Sequence, residues 1–74
     1  MQYNESPTLG GMVVIVEPGD LAQDVMSFAD HIGAITLGGV DMYYHLRLPG
    51  GEDKLYTHLE IARLAKKGWQ LPTT

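Results

Sequence analysis

Two segments of the chain have the hydrophobic pattern of β-strands. Residues 12–17 are nearly continuously apolar and β-branched, a pattern that is typical of a strand buried on both faces. Residues 40–48 alternate strictly between apolar and more polar side chains, which predicts a strand with one face toward the core. A shorter strand is predicted at residues 35–37, because the turn signal Gly38-Gly39 follows it directly.

Two other segments have helical spacing. Apolar side chains recur on one stripe through residues 21–32, and Gly33 stands where a left-handed cap ends a helix. Asp20 is predicted to cap the start of this helix, with Gln23 completing a capping box. A second helix is predicted over residues 53–67, since acidic side chains lie at its start and basic ones at its end. Its predicted buried stripe consists of Leu55, Leu59, Ala62 and Ala65, widened by Ile61 and Leu64.

This order of elements predicts one α+β domain with the ferredoxin-like order βαββα(β). The sheet is expected to be antiparallel with both helices on one face, and residues 69–71 form the optional last strand. Residues 1–11 show no periodicity and contain Pro7, Gly10 and Gly11, so we interpret them as a flexible N-terminal arm. The domain itself then spans residues 12–74.

Helices on one face leave the other face of the sheet open. The strand at residues 40–48 must point its polar side chains toward this face. Because the strand at residues 12–17 is apolar on both sides, it adds apolar side chains to the open face whichever way it is oriented. Since an exposed apolar patch usually marks an interface, we predict that this face binds another protein or a second copy of the chain. The alternative is that the arm or the segment around Trp69 covers the patch. The predicted partner-binding residues are Val13, Ile15, Asp41, Tyr43, His45 and Arg47.

Charge and composition narrow the classes of function. Nine acidic against five basic side chains give a net charge of −4, which disfavours nucleic acid as the main partner because such binding depends on neutralising phosphates. RNA binding through Tyr43, His45 and Arg47 on the open face stays as an alternative. The longest apolar run is too short to cross a membrane, and no secretory signal opens the chain. We therefore expect a cytoplasmic protein that does not have a membrane as its partner.

No constellation of residues predicts catalysis. The three histidines lack the spacing of a helical metal site, and the absence of cysteine excludes disulfides and thiolate zinc sites. Neither serine lies in a pattern typical of a nucleophile, and no glycine pair is followed by the Gly-Lys-Ser/Thr of a phosphate loop. We expect no enzyme, no metal and no cofactor.

Residues 13–21, with the sequence VVIVEPGDL, resemble the first strand and Pro-Gly-x-Leu turn of ACT domains. Residues 28–33 resemble the end of the first helix of that family, whose members are small βαββαβ modules that sense amino acids. The resemblance implies that Gly19 and Asp20 border a ligand pocket between paired domains. It covers about a third of the chain, and Ala34-Ile35 replaces the Asn-Ile that usually enters the second strand.

Three hypotheses follow. The first is a non-enzymatic protein-binding module that inhibits or regulates a larger assembly, since a small acidic domain with a bare face is similar to phage-encoded inhibitors such as some anti-CRISPR proteins. The second is an ACT-like sensor of a small molecule, and the third is RNA binding through the open face.

Overall fold

The computed structural model describes residues 1–68, in which two helices pack on a five-stranded sheet. The α+β class is therefore confirmed, while the strand predicted at residues 69–71 lies outside the described part of the chain. The elements in chain order are β1 (Gln2–Glu5), β2 (Met12–Ile15), α1 (Ala22–Ile32), β3 (Ile35–Gly38), β4 (Asp41–Arg47), β5 (Asp53–Thr57) and α2 (His58–Lys66).

Strand β4 is the centre of the sheet. Strand β5 pairs antiparallel along one edge of β4. Strands β3 and β2 follow one another along its other edge, β3 antiparallel to the first half of β4 and β2 parallel to its end. Strand β1 extends the sheet by pairing antiparallel with β2, and the sheet curls into about half of a barrel. The sheet is thus mixed, and the predicted ferredoxin-like order is not confirmed.

The segment predicted as a second helix begins with a strand. Residues 53–57 alternate between the two faces of the sheet and form the β4–β5 ladder. Helix α2 starts only after Thr57, whose hydroxyl accepts a hydrogen bond from the Glu60 N–H at 3.1 Å. Thr57 and Glu60 have the Thr-x-x-Glu spacing of a capping box. The distribution of charge indicated a helix here correctly, but it did not locate the first helical residue.

The N-terminal segment contains a strand that the sequence did not predict. Residues 2–5 are exposed and pair in continuous register with β2. The Tyr3 ring lies 6.0 Å from the Phe28 ring of α1, measured between centroids. The connection back to β2 is closed by the Ser6 N–H, which donates to the Gly11 carbonyl at 2.8 Å. One apolar residue in four is too little pattern to reveal an edge strand from sequence.

The ends of α1 differ in how well the sequence predicted them. Gly33 ends the helix in the left-handed conformation (φ 73°), as predicted. The N-cap is Leu21 rather than Asp20. The Asp20 carboxylate instead accepts the Glu17 N–H at 2.9 Å, so it closes the turn that precedes the helix.

Both helices pack on the same face of the sheet, which confirms that part of the prediction. The buried core joins side chains of α1 and α2 to alternate residues of β2, β4 and β5. No helix in residues 1–68 combines the length and the apolar character that crossing a membrane requires. The core consists of Val14, Val16, Ala22, Val25, Ala29, Ala34, Tyr44, Leu46, Tyr56 and Ile61.

Candidate protein-binding surfaces

The face of the sheet opposite the helices, here called the far face, carries the residues that the sequence predicted as a binding site. It is narrower than predicted, because Val13 is 0% and His45 only 4% exposed. Ile15, Tyr43 and Arg47 are half-buried. Asp41, at the end of β4, is exposed. The middle of this face is therefore sheltered from solvent, although both helices pack on the opposite face.

His45 holds two strands in place. Its Nδ1 lies 3.1 Å from the carbonyl oxygen of Met12 in β2, and its Nε2 is hydrogen-bonded to the Thr36 hydroxyl in β3. Because a carbonyl only accepts, the Nδ1 atom of His45 carries a proton and donates it to Met12. The ring thus bridges the strands that share one edge of β4. The predicted contact of His45 with a partner stays a prediction, but the exposed side chain that it assumed is not observed, because His45 is buried.

Arg47 is also engaged within the molecule. Its Nε donates to Asp53 Oδ1 at 2.6 Å and its Nη2 to Asp53 Oδ2 at 3.1 Å. The Ser6 hydroxyl donates to the same carboxylate at 2.6 Å, and Nη2 also reaches the carbonyl oxygen of Glu5 at 3.3 Å. These contacts fasten the N-terminal connection to the β4–β5 hairpin. The hydrogen bonds from Arg47 and then Ser6 hold the pKa of Asp53 below its ordinary value.

Replacing Asp53 by Asn should lower the free energy of unfolding at pH 7 by about 1–2 kcal/mol, the usual scale for hydrogen bonds to a charged group that keeps some solvent contact. A carboxylate whose pKa is lowered by folding stabilises the protein above its unfolded pKa of about 4 and loses that contribution as the pH falls further. Urea unfolding at pH 7 and below pH 4 tests this, with the exposed Asp41→Asn as control. The two variants should differ at pH 7 and converge in acid; an unchanged Asp53→Asn midpoint at pH 7 would contradict the prediction.

The ligand site implied by the ACT resemblance lies in the turn before α1. Gly19 is exposed with φ 95°, and the carboxylate of Asp20 is bound to the backbone of Glu17. These contacts explain the turn itself. A ligand at Gly19 and Asp20 stays a prediction from the resemblance.

The most exposed large apolar side chains of the described part of the chain lie elsewhere, at the end of the sheet where the β3–β4 turn meets α2. Val40 is fully exposed, Leu37 is 73% exposed and Leu59 is 60% exposed. Val40, Met42 and Leu59 line one groove of about 360 Å³, and Leu37 pairs directly with Met42 across the β3–β4 ladder. We call these four residues the hairpin-end surface.

The polar groups of the same groove are tied to the fold. Thr57 caps α2, and Nδ1 of His58 lies 3.3 Å from the hydroxyl of the buried Tyr44. Burial, and secondarily Asp30, raises the pKa of Tyr44, so this hydroxyl keeps its proton at neutral pH. The groove can therefore accept an apolar side chain, and the exposed carboxylate of Asp41 at its rim can accept a hydrogen bond from a partner.

The sequence did contain a signal for this surface, although it was assigned to the core. Val40 was predicted to face the helices, but Gly38 pairs with Asp41, which leaves Gly39 and Val40 as a two-residue turn outside the ladder. Leu59 was predicted to be buried, but the start of α2 at His58 rotates the helix so that Ile61 points inward. An apolar residue in a tight turn is the signal that could have identified the exposed patch.

A second groove, of about 410 Å³, separates β5 from α2. Its lining includes Lys54, Arg63 and Lys67 together with Glu60, and Nζ of Lys54 lies 5.8 Å from the centre of the Tyr56 ring. Most of the positive charge of an acidic chain is thus concentrated at the side of the molecule formed by β5 and α2.

No family model matches this chain, and no curated protein or solved structure matches it either. Within residues 1–68, no group of three or more His, Asp or Glu side chains is arranged to hold a metal ion. The function is therefore argued from the surfaces themselves.

Proposed function

We propose that this chain is a non-enzymatic protein-binding module of the cytoplasm that contacts its partner through the hairpin-end surface and so inhibits or regulates a larger assembly. One observation supports the proposal above all: of the large apolar side chains in residues 1–68, the three most exposed, Leu37, Val40 and Leu59, lie at one end of the molecule. Single exposed apolar side chains are ordinary on protein surfaces, whereas a contiguous group of them usually marks an interface.

The size of the surface sets what it can contribute. Burying each of these side chains in a complex gains about 1.5–3 kcal/mol, while association costs at least about 4 kcal/mol in lost freedom of motion. The three side chains alone would give only a weak complex. A stable complex therefore also needs hydrogen bonds, for which Asp41 and the open side of β3 are placed next to the apolar groups.

The far face contributes less to this proposal than the sequence suggested. Its accessible apolar groups are the margins of Ile15 and Tyr43 together with Leu55 of β5. RNA binding there would need Tyr43, His45 and Arg47 together, but His45 is buried and Arg47 is paired with Asp53. The hypotheses of RNA binding and of amino-acid sensing gain no support from the described residues.

The double variant Val40→Asp, Leu59→Asp tests the proposal, because it places charge in the groove at two exposed positions where the fold should tolerate it. A partner is first identified by cross-linking to the wild-type chain, and its affinity is then measured with purified proteins. We expect at least a 100-fold loss of affinity, with an unchanged circular dichroism spectrum.

The matched control is Leu21→Asp. Leu21 is an exposed leucine before α1, and the strand that leads to it, β2, ends beside Arg47, at the opposite end of β4 from the β3–β4 turn. It should bind the partner as the wild type does. Retained affinity in the double variant, or an equal loss in the control, would show that the partner contacts another part of the molecule.

A further inference from the structure

We infer that a second copy of this chain binds at the hairpin-end surface, with the two β3 strands pairing antiparallel about a two-fold axis at Thr36. The inference rests on the proposed function, because it names the occupant of part of the same surface. It adds a specific register and a specific set of hydrogen bonds.

The open side of β3 supplies the hydrogen-bonding groups. Within residues 1–68, β3 pairs with β4 alone. The Ala34 carbonyl accepts the His45 N–H at 2.9 Å, while the Ala34 N–H donates to the Ala29 carbonyl of α1. The Ala34 carbonyl therefore points toward β4, and by the alternation of the ladder so do the backbone groups of Thr36, which pairs with Tyr43. In an antiparallel ladder the intervening residues direct theirs away. Ile35 and Leu37 therefore present two N–H and two C=O groups at the outer edge of the sheet.

The absence of charge on this edge favours a second copy as the occupant. Residues 33–40 include no charged side chain, whereas the other outer strands have Glu5 in β1 and Asp53 and Lys54 in β5. Natural proteins use charge or proline to keep exposed edges from pairing. Two copies with a net charge of −4 each repel one another in general, and β3 is an edge that they can join without placing like charges opposite each other.

The register follows from the directions of the backbone groups. When Ile35 of one copy lies opposite Leu37 of the other, their N–H and C=O groups form two hydrogen bonds, and the two-fold axis repeats them to make four. Thr36 then lies opposite Thr36 on the axis, as a pair without direct backbone hydrogen bonds. On the helix side, Leu37 contacts Ile35 of the second copy, which covers the more exposed of these two side chains.

Sedimentation equilibrium of the full chain between about 1 µM and 1 mM measures this association. We expect a dimer, with a dissociation constant raised at least tenfold by Leu37→Lys and by Leu37→Pro, and unchanged in Leu21→Lys. Proline at position 37 removes an N–H that points away from β4, which an edge strand tolerates. A wild-type chain that stays monomeric, or a dimer that both Leu37 variants preserve, would overturn the inference.

A cross-link tests the register separately. Since the chain has no cysteine, Thr36→Cys introduces a single thiol at the axis, where directly opposed Cβ atoms lie about 4.5–5.5 Å apart. Mild oxidation should convert this variant mainly to a disulfide-linked dimer, while Ser27→Cys, exposed on α1, should stay mainly monomeric. Equal cross-linking of the two would overturn the register. If the wild type is monomeric and its binding to a partner still depends on Val40 and Leu59, the second copy is excluded as the occupant of this surface and the proposed function is retained.

Discussion

Replacing Ile61 by alanine is expected to lower the free energy of unfolding by about 2–5 kcal/mol, the range measured when buried large aliphatic side chains are truncated. Ile61 is 0% exposed and is the residue through which α2 enters the core shared with α1 and the sheet. Truncation removes its transfer free energy and leaves a cavity that the surrounding strands can fill only in part. A loss of this size is comparable with the whole stability of a small domain.

Leu59 of the same helix is the matched control for this experiment. Leu59→Ala should change the free energy of unfolding by less than about 0.5 kcal/mol, as expected for an exposed position. Urea denaturation monitored by circular dichroism measures both variants. The sequence pattern alone predicted that Leu59 would be buried. Equal destabilisation by the two substitutions would therefore contradict the exposed position of Leu59, which depends on the start of α2 at His58.

Replacing His45 by alanine is expected to destabilise the protein by about 2–4 kcal/mol. The substitution truncates a ring that is only 4% exposed, which leaves a cavity of the kind that costs about 2–5 kcal/mol for large buried side chains, and it removes the hydrogen bonds to the Met12 carbonyl and the Thr36 hydroxyl. It also loosens the junction at which β2 and β3 meet on one edge of β4. Thermal and urea unfolding should both report the loss.

His31, exposed on α1, is the control for this prediction. His31→Ala should be close to neutral in stability. A double-mutant cycle sharpens the test, because Thr36→Val should cost less in the His45→Ala background than in the wild type if the two side chains are hydrogen-bonded. Strictly additive effects would contradict the bridging role of His45.

The sequence predicted most elements of the fold, and the two strands that it missed share one cause. Long periodic segments were identified correctly, including the face of β4 that packs on the helices and the Gly33 cap. The two missed strands, β1 and β5, are short, and each exists because it pairs with the neighbouring strand of a hairpin. A strand of four or five residues carries too little periodicity of its own, and only its partner strand determines where it lies.

The binding surface was predicted less well, for a reason of geometry. The sequence predicted which side chains of β2 and β4 share the far face, but not how far each of them is exposed. Val13 is fully buried, and His45 is buried and hydrogen-bonded to two other strands. Pairing of Arg47 with Asp53 depends on β5, which was assigned to a helix. Exposure therefore followed from tertiary contacts that alternation along one strand does not encode.

The central position of β4 has a consequence for dividing the chain. A cut at the β3–β4 turn would leave one fragment with the β1–β2 hairpin and an unpaired β3, and another with β4–β5 but no partner for the opposite edge of β4. Each fragment would also keep only one helix, and that helix would lose its contacts with the other helix. We therefore expect that neither half folds separately and that the described residues fold as one cooperative unit.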